Sequence, residues 1–178
     1  AFCQYANFKI REEIKDKKKF INSLIFFLQK DLISILEIKK KNLDFHSRHS
    51  AKERIYEYLI INREGSLSIY RNKAWHIKQK LNLKLMKKGA NILEGNHDFS
   101  TFRASNCSAK SPVRTIDSIL VTKSKNCIKL KFKSKSFLKN QVRSMVGCLK
   151  YLGEKKWDLK KFENIFAQKD RRNVAPPA

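Results

Sequence analysis

Acidic residues are scarce in this chain: sixteen Asp and Glu stand against forty Lys and Arg in 178 residues, a net charge of +24. Sixteen carboxylates cannot neutralise forty cations, so an acidic partner surface is expected and a basic one is disfavoured. Cysteine is sparse and scattered at Cys3, Cys107, Cys127 and Cys148, with no C-x-x-C pair and no His at zinc-ligand spacing, so neither a metal site nor a disulfide framework is indicated. Such thiols read as reduced and the protein as cytoplasmic. Long apolar runs are missing too. Residues 24–28 are stopped by Gln29, Lys30 and Asp31, and residues 1–10 lack the charged and apolar regions of a signal peptide, so export and membrane spanning are not expected. There is no Gly-rich phosphate loop, Walker pattern or nucleophile elbow.

What is present is the composition of a folded protein, 42% hydrophobic and 31% charged with twelve Phe. A chain of this length forms one domain and buries roughly 70% of the surface its unfolded form exposes. A charge of +24 makes a polyanion the default partner, with nucleic acid ahead of an anionic membrane surface. Thirty of the forty cations are Lys, in a chain also rich in Asn and Ile, so codon bias accounts for part of the excess.

Period-two alternation predicts strands at residues 1–10, 52–62, 115–123 and 126–134, with a buried strand at 32–38. On 52–62 one face carries Arg54, Tyr56, Tyr58 and Ile60, an aromatic and basic surface suited to nucleic acid. On 126–134 Ile128, Leu130 and Phe132 face a core while Lys129, Lys131 and Lys133 face away. Helical spacing predicts helices over 15–28, over a segment marked by Ile77, Leu81, Leu85 and Leu93, and over 137–152, where Leu138, Val142, Met145, Leu149 and Leu152 recur and Gly153 ends the run. Asp158 is placed to cap a last helix reaching about Gln168. Gly95 to Asp98 reads as a turn, and residues 39–44 and 105–112 as connectors. No domain boundary or repeat stands out. Irregular alternation with antiparallel neighbours indicates an α+β fold, an antiparallel or mixed sheet flanked by helices.

Several polar groups invite a chemical reading. His46, Arg48, His49 and Ser50 cluster, but no carboxylate at readable spacing orients either His, which favours a solvated turn over hydrolase chemistry. Asn96-His97-Asp98 fits a turn better than a ligand set. Lys139, Arg143 and Lys150 flank the apolar stripe of the 137–152 helix, and by spacing alone they are a solvated flank.

Five blocks in order change that reading: Phe45-His46-Ser47-Arg48-His49-Ser50-Ala51 leading into Arg54-Ile55-Tyr56-Glu57-Tyr58; Gly95-Asn96-His97-Asp98-Phe99-Ser100-Thr101-Phe102-Arg103-Ala104; Ser111-Pro112-Val113-Arg114; Phe137 through Val142-Arg143-Ser144-Met145-Val146-Gly147; and Lys169-Asp170-Arg171 with Ala175-Pro176-Pro177-Ala178. Together they resemble the tRNA pseudouridine synthase A family over essentially the whole chain. The resemblance implies a pseudouridine synthase fold and an isomerase that converts uridine to pseudouridine in the anticodon stem-loop of tRNA. It also implies that no metal or organic cofactor is used and that the full-length enzyme is a homodimer. The glycosidic bond breaks, the uracil turns and rejoins through carbon, so the base must leave its helix for a closed pocket. The essential group is an aspartate, and whether it attacks sugar or base or removes a sugar proton stays open here.

By resemblance, Tyr56 stacks on the target base and Arg143 pairs with the catalytic carboxylate, holding it ionised and oriented. Arg48, Arg54, Arg103 and Arg114 are phosphate or rim contacts, and Lys139 is a further RNA contact. The family's Gly-Arg-Thr-Asp-x-Gly-Val-His stretch would stand just ahead of Ala1, so the expectation is a partial catalytic domain over 1–178 without its nucleophile and inactive alone. A Gly-Leu-Tyr-Leu-like strand is expected just after Ala178, and Gln29 replaces a usual Pro. The rival readings are a non-catalytic basic RNA-binding remnant and a ribosome-associated basic protein.

Overall fold

Alternating apolar residues at 128, 130 and 132 need a partner strand on each side and a layer against one face. In the computed structural model, which describes residues 3–178, they receive both. The sheet has five strands: β1 (Arg54–Asn62), β2 (Trp75–Ile77), β3 (Gly95–Asp98), β4 (Val113–Ser124) and β5 (Cys127–Ser134). Their order is β2-β1-β5-β4-β3, with β5 central, β1 and β2 parallel, and the other pairs antiparallel. The helices of this unit are α2 (Leu83–Leu93), α3 (Gln141–Gly153) and α4 (Leu159–Ala167). The fold is therefore α+β with a mixed open sheet flanked by helices.

Register fixes which side chains share a face. Tyr56, Phe132 and Ile119 stand opposite one another across three strands, as do Tyr58, Leu130 and Val121. Phe132, Ile119, Leu130 and Val121 of these rows form one buried cluster with Met86, Ala90 and Leu93 of α2, Met145, Leu149 and Leu152 of α3, and Phe162 and Ile165 of α4, and Tyr58 packs against it, whereas Tyr56 is half exposed. Fully burying side chains of this size contributes about 1.5–3 kcal/mol each. The other face carries Ile55 with Lys133, Glu57 with Lys131 and Leu120, and Leu59 with Lys129. Ile55 and Leu120 are about half exposed there. The expected division of β5 into a core face and a basic face holds.

The helix ends follow local chemistry. Asp158 caps α4 by accepting from the Lys161 amide at 2.7 Å, as the sequence predicted. The α2 helix begins later than its apolar spacing suggested, because Asn82 caps it by accepting from the Leu85 amide at 3.0 Å. Ile77 belongs instead to β2, where the parallel ladder to β1 claims it. The α3 helix starts at Gln141 rather than 137, since Asn140 takes a left-handed conformation at φ 61° and breaks the turn before it. Gly95 to Asp98 is an edge strand on β4 and not a turn; pairing with residues 113–116 overrides the local turn chemistry, and Gly95 adopts φ +99°, where a side chain would be strained.

The described residues fall into two units, one running to Ala51 and the other spanning Lys52–Ala178. In the first, α1 (Lys17–Leu28) is capped by Asp16, which accepts from the Lys19 amide at 2.9 Å, and Phe8 lies 6.4 Å from Phe20. Two expected strands are not formed here. Residues 3–10 and 32–38 pair with no strand, and Tyr5, Leu32 and Leu36 are each more than four-fifths exposed. A strand exists only through its ladder, and alternation in these segments finds none among the described residues. Ala1 and Phe2 of the first expected strand lie outside those residues.

At the end of α3, Glu154 is buried between Lys150 at 2.8 Å and Lys156 at 3.0 Å. Burial pushes its carboxyl up, but hydrogen bonds from the two lysines outweigh burial and hold it below the ordinary carboxylate value. A carboxylate depressed in the folded state stabilises above its unfolded pKa, and the contribution is lost as pH falls through the folded value. Glu154→Gln is expected to cost about 1–2 kcal/mol at neutral pH, since the lysines left behind can still reach water. The deficit should shrink in acid. Urea titrations of both proteins at pH 7 and below pH 4 check this; a deficit independent of pH would mean packing and not charge.

Candidate active site

The site is assembled where the covered face of the sheet runs out. Along this face of β1 burial falls towards the start of the strand: Ile60 is fully buried, Tyr58 partly and Tyr56 half exposed. Phe137, in the connector between β5 and α3, packs edge-to-face on Tyr56, with centroids 5.3 Å apart and planes at 87°. That contact fixes the tyrosine plane while half of its surface stays open to a ligand. Arg54, one turn of the pleat earlier on the same face, donates from Nη1 to the Lys135 carbonyl and so ties β1 to the same connector. Ser134 binds the connector from the other side, its hydroxyl donating at 2.6 Å to the Thr115 carbonyl and accepting at 3.2 Å from the Ser136 amide.

Arg143 stands in the first turn of α3, exposed, beside residues that are buried. Its Nε donates to the Ala178 carbonyl at 2.6 Å, and its own carbonyl accepts from the Ala178 amide at 3.2 Å. Residues 174–178 thus run back along the helix. With Nε engaged, the two terminal nitrogens of the guanidinium are held in a defined plane. They form the fork that suits a carboxylate.

The other arginines are placed differently. Arg103 turns inward, its Nη2 donating to the carbonyls of Cys107 at 3.0 Å and Ala109 at 2.5 Å, so it closes its own loop. The Arg171 guanidinium donates to the Arg103 carbonyl at 2.6 Å and ties the tail to that loop. Arg114 donates to the carbonyls of Ser111 at 2.9 Å and Val113 at 2.6 Å. Lys139 is exposed, and its carbonyl accepts from the Ala104 amide at 3.2 Å. Cys107 beside it has its thiol pulled below the ordinary value by the backbone amides of Lys139 and Ala109, against burial. Arg48 lies in the unit that runs to Ala51, in a turn closed by the Ser50 amide on the His46 carbonyl at 2.7 Å and the Arg48 amide on His46 Nδ1 at 3.2 Å. Among the described residues no cluster of three or more His, Cys, Asp or Glu could hold a metal, and no helix is long and apolar enough to cross a membrane.

A family model described as tRNA pseudouridine synthase matches residues 90–178, which include β3, β4, β5, α3 and the tail. Proteins named tRNA pseudouridine synthase A are similar over more of the chain. The one from Pelagibacter ubique is 51% identical over all 178 residues, which cover 72% of that relative. The one from Ehrlichia canis is 38% identical over 99% of this chain and 73% of its own length, and the one from Parvibaculum lavamentivorans 42% identical over 82% and 59%. The chain belongs to the tRNA pseudouridine synthase A family.

In this family member the structure brings Tyr56, Arg54 and Phe137 together at the start of β1 and sets Arg143 on the helix that the same connector leads into. Two contributors were not singled out from sequence, Phe137 and Gly147, the latter because a Cβ there would overlap the Pro176 carbonyl oxygen and keep the tail off α3. Phe137 read as the start of a helix, and its contact with Tyr56 depends on the register of β1 against β5. Gly147 read as one more residue of the motif. A lone Gly inside an apolar helical stripe is a signal that could have found it.

Proposed function

We propose that this chain is the base-holding and carboxylate-orienting part of an enzyme that isomerises uridine to pseudouridine in the anticodon stem-loop of tRNA. The half-open Tyr56 ring braced by Phe137 carries the reading. A flat ring at the rim of a sheet offers a stacking face to an extruded uracil, and its hydroxyl is within the chemistry of proton transfer. Arg143 presents two terminal nitrogens to an aspartate carboxylate, which favours the ionised form and fixes its direction. Arg48, Arg54, Arg114 and Lys139 serve as phosphate or rim contacts; Arg103 acts through its loop, since its guanidinium is spent on Cys107 and Ala109. The four free thiols fit work in the cytoplasm. Pairing with a second copy is part of the proposal, carried over from the family resemblance, and sedimentation velocity tests it.

No Gly-Arg-Thr-Asp stretch occurs within the 178 residues. A second reading is a non-catalytic RNA-binding remnant, and both readings expect the same result for these 178 residues alone. Incubated with an unmodified tRNA transcript, it should form no pseudouridine above background, while binding the tRNA. Turnover by the 178 residues would show that another carboxylate does the work. Restored turnover on joining an aspartate-bearing segment separates the enzyme from the remnant.

A further inference from the structure

The tail from 174 to 178 follows α3 with unusual closeness, and the closeness depends on one residue. A Cβ at Gly147 would overlap the Pro176 carbonyl oxygen and stand 3.1 Å from its carbon and 3.4 Å from the Pro177 Cα. One residue along, Cys148 is fully buried and the Ala175 amide points to its sulfur, with Ala175 itself buried. One turn before Gly147, Ala178 and Arg143 exchange the two hydrogen bonds described above. Tail residues 175, 176 and 178 therefore meet helix residues 148, 147 and 143 in reverse order, at successive points down one helix flank. Backbone comes this near a helix only where the helix lacks a side chain.

We propose that Gly147 and Ala178 are positioning residues for Arg143. By omitting a side chain, Gly147 lets the tail lie flat on α3, which delivers the Ala178 carbonyl to Arg143 Nε and sets the plane of the guanidinium. Any side chain at 147 lifts the Pro176 carbonyl, draws Ala178 away and frees Arg143 to rotate into solvent. The lost orientation costs the chemical step and not the electrostatic attraction for RNA, because the charge at 143 is unchanged. The inference rests on the role proposed for Arg143.

Two layers of experiment test it. In the 178-residue protein, Gly147→Ala should raise alkylation of Cys148 by about tenfold or more, since a buried thiol pushed up to about 12 reacts only when its cover lifts. The Arg143 Nε proton should lose its protection from exchange while the amides of α3 keep theirs. Turnover is then read in a chimera that adds the Pelagibacter relative's flanking segments to this chain. There Gly147→Ala should lower the single-turnover rate about tenfold or more with tRNA affinity within about twofold, and in an Arg143→Ala background it should cost nothing further, since both changes remove one interaction. Ala178→Pro, which removes the amide donor without touching the helix, carries the same test should Gly147→Ala fold poorly. A rate loss that adds to that of Arg143→Ala, or unchanged Nε protection, overturns the positioning role. Full turnover by Arg143→Ala would sink the role of Arg143 and the inference with it, whereas loss by Arg143→Ala beside full turnover by Gly147→Ala would sink the inference alone.

Discussion

Replacing Arg143 by Lys should lower single-turnover pseudouridine formation about 10²-fold in a chimera carrying the family's aspartate segment, the cost of one misplaced orienting group. The expectation follows from how the guanidinium is used. Nε is committed to the Ala178 carbonyl at 2.6 Å, leaving two coplanar nitrogens for the carboxylate. A lysine ammonium can hold either the carbonyl or the carboxylate in good geometry, but has no plane with which to align one against the other. Since Lys preserves the charge, tRNA affinity should change by less than about twofold. Filter binding measures the affinity, and rapid-quench assay of the modified nucleoside measures the rate. An intact rate with weakened affinity would make Arg143 a phosphate contact, and the role implied by the family resemblance would not apply to this chain.

Binding of tRNA by the 178-residue protein should fall about 250-fold when salt rises fourfold, for neutralisation of about four to five phosphates and a log–log slope near −4. The structure supplies the charge for this. Lys129, Lys131 and Lys133 alternate on the uncovered face of β5, and their neighbours Glu57 and Glu53 offset only part of it, at 3.3 Å from Lys129 and 2.6 Å from Lys133. Ion pairs this exposed contribute little and yield readily to phosphate. Affinity measured across a salt series with circular dichroism at each end distinguishes release of counterions from unfolding. A flat response in folded protein would mean that the lysines reflect codon usage and that the binding surface lies elsewhere. Equal affinity for ribosomal RNA in competition would favour the ribosome-associated reading.

Much of the architecture was legible in the residues themselves. Ile128, Leu130 and Phe132 alternate with lysines and became the central strand; the stripe through Val142, Met145, Leu149 and Leu152 became α3; Asp158 became the cap it was expected to be. These features are local, with periodicity and capping decided within a few residues. The family was legible for another reason, because its blocks keep their order and spacing. Misreadings fell where two segments compete for a backbone. Ile77 carried helical spacing toward Leu81 and Leu85, yet it stands in register with Asn62 in the parallel ladder, and its carbonyl accepts from the Asn62 side-chain amide at 2.9 Å. Gly95 to Asp98 had turn residues and became an edge strand because residues 113–116 offered it a partner.

Sequence by itself determined the charge, the α+β class, the family and the two residues on which the chemistry is proposed to turn, Tyr56 and Arg143. Tertiary structure alone decided what those residues touch. Arg103, Arg114 and Arg143 are equal cations in the sequence, but one is turned into its own loop, one donates through Nη1 alone to the strand that carries it, and one is pinned by a tail 35 residues away. The difference is physical. Charge and period are properties of a segment, whereas the direction of a guanidinium is set by whichever distant carbonyl folding brings within 3 Å. At Arg143 that carbonyl arrives only because position 147 has no side chain to keep it out.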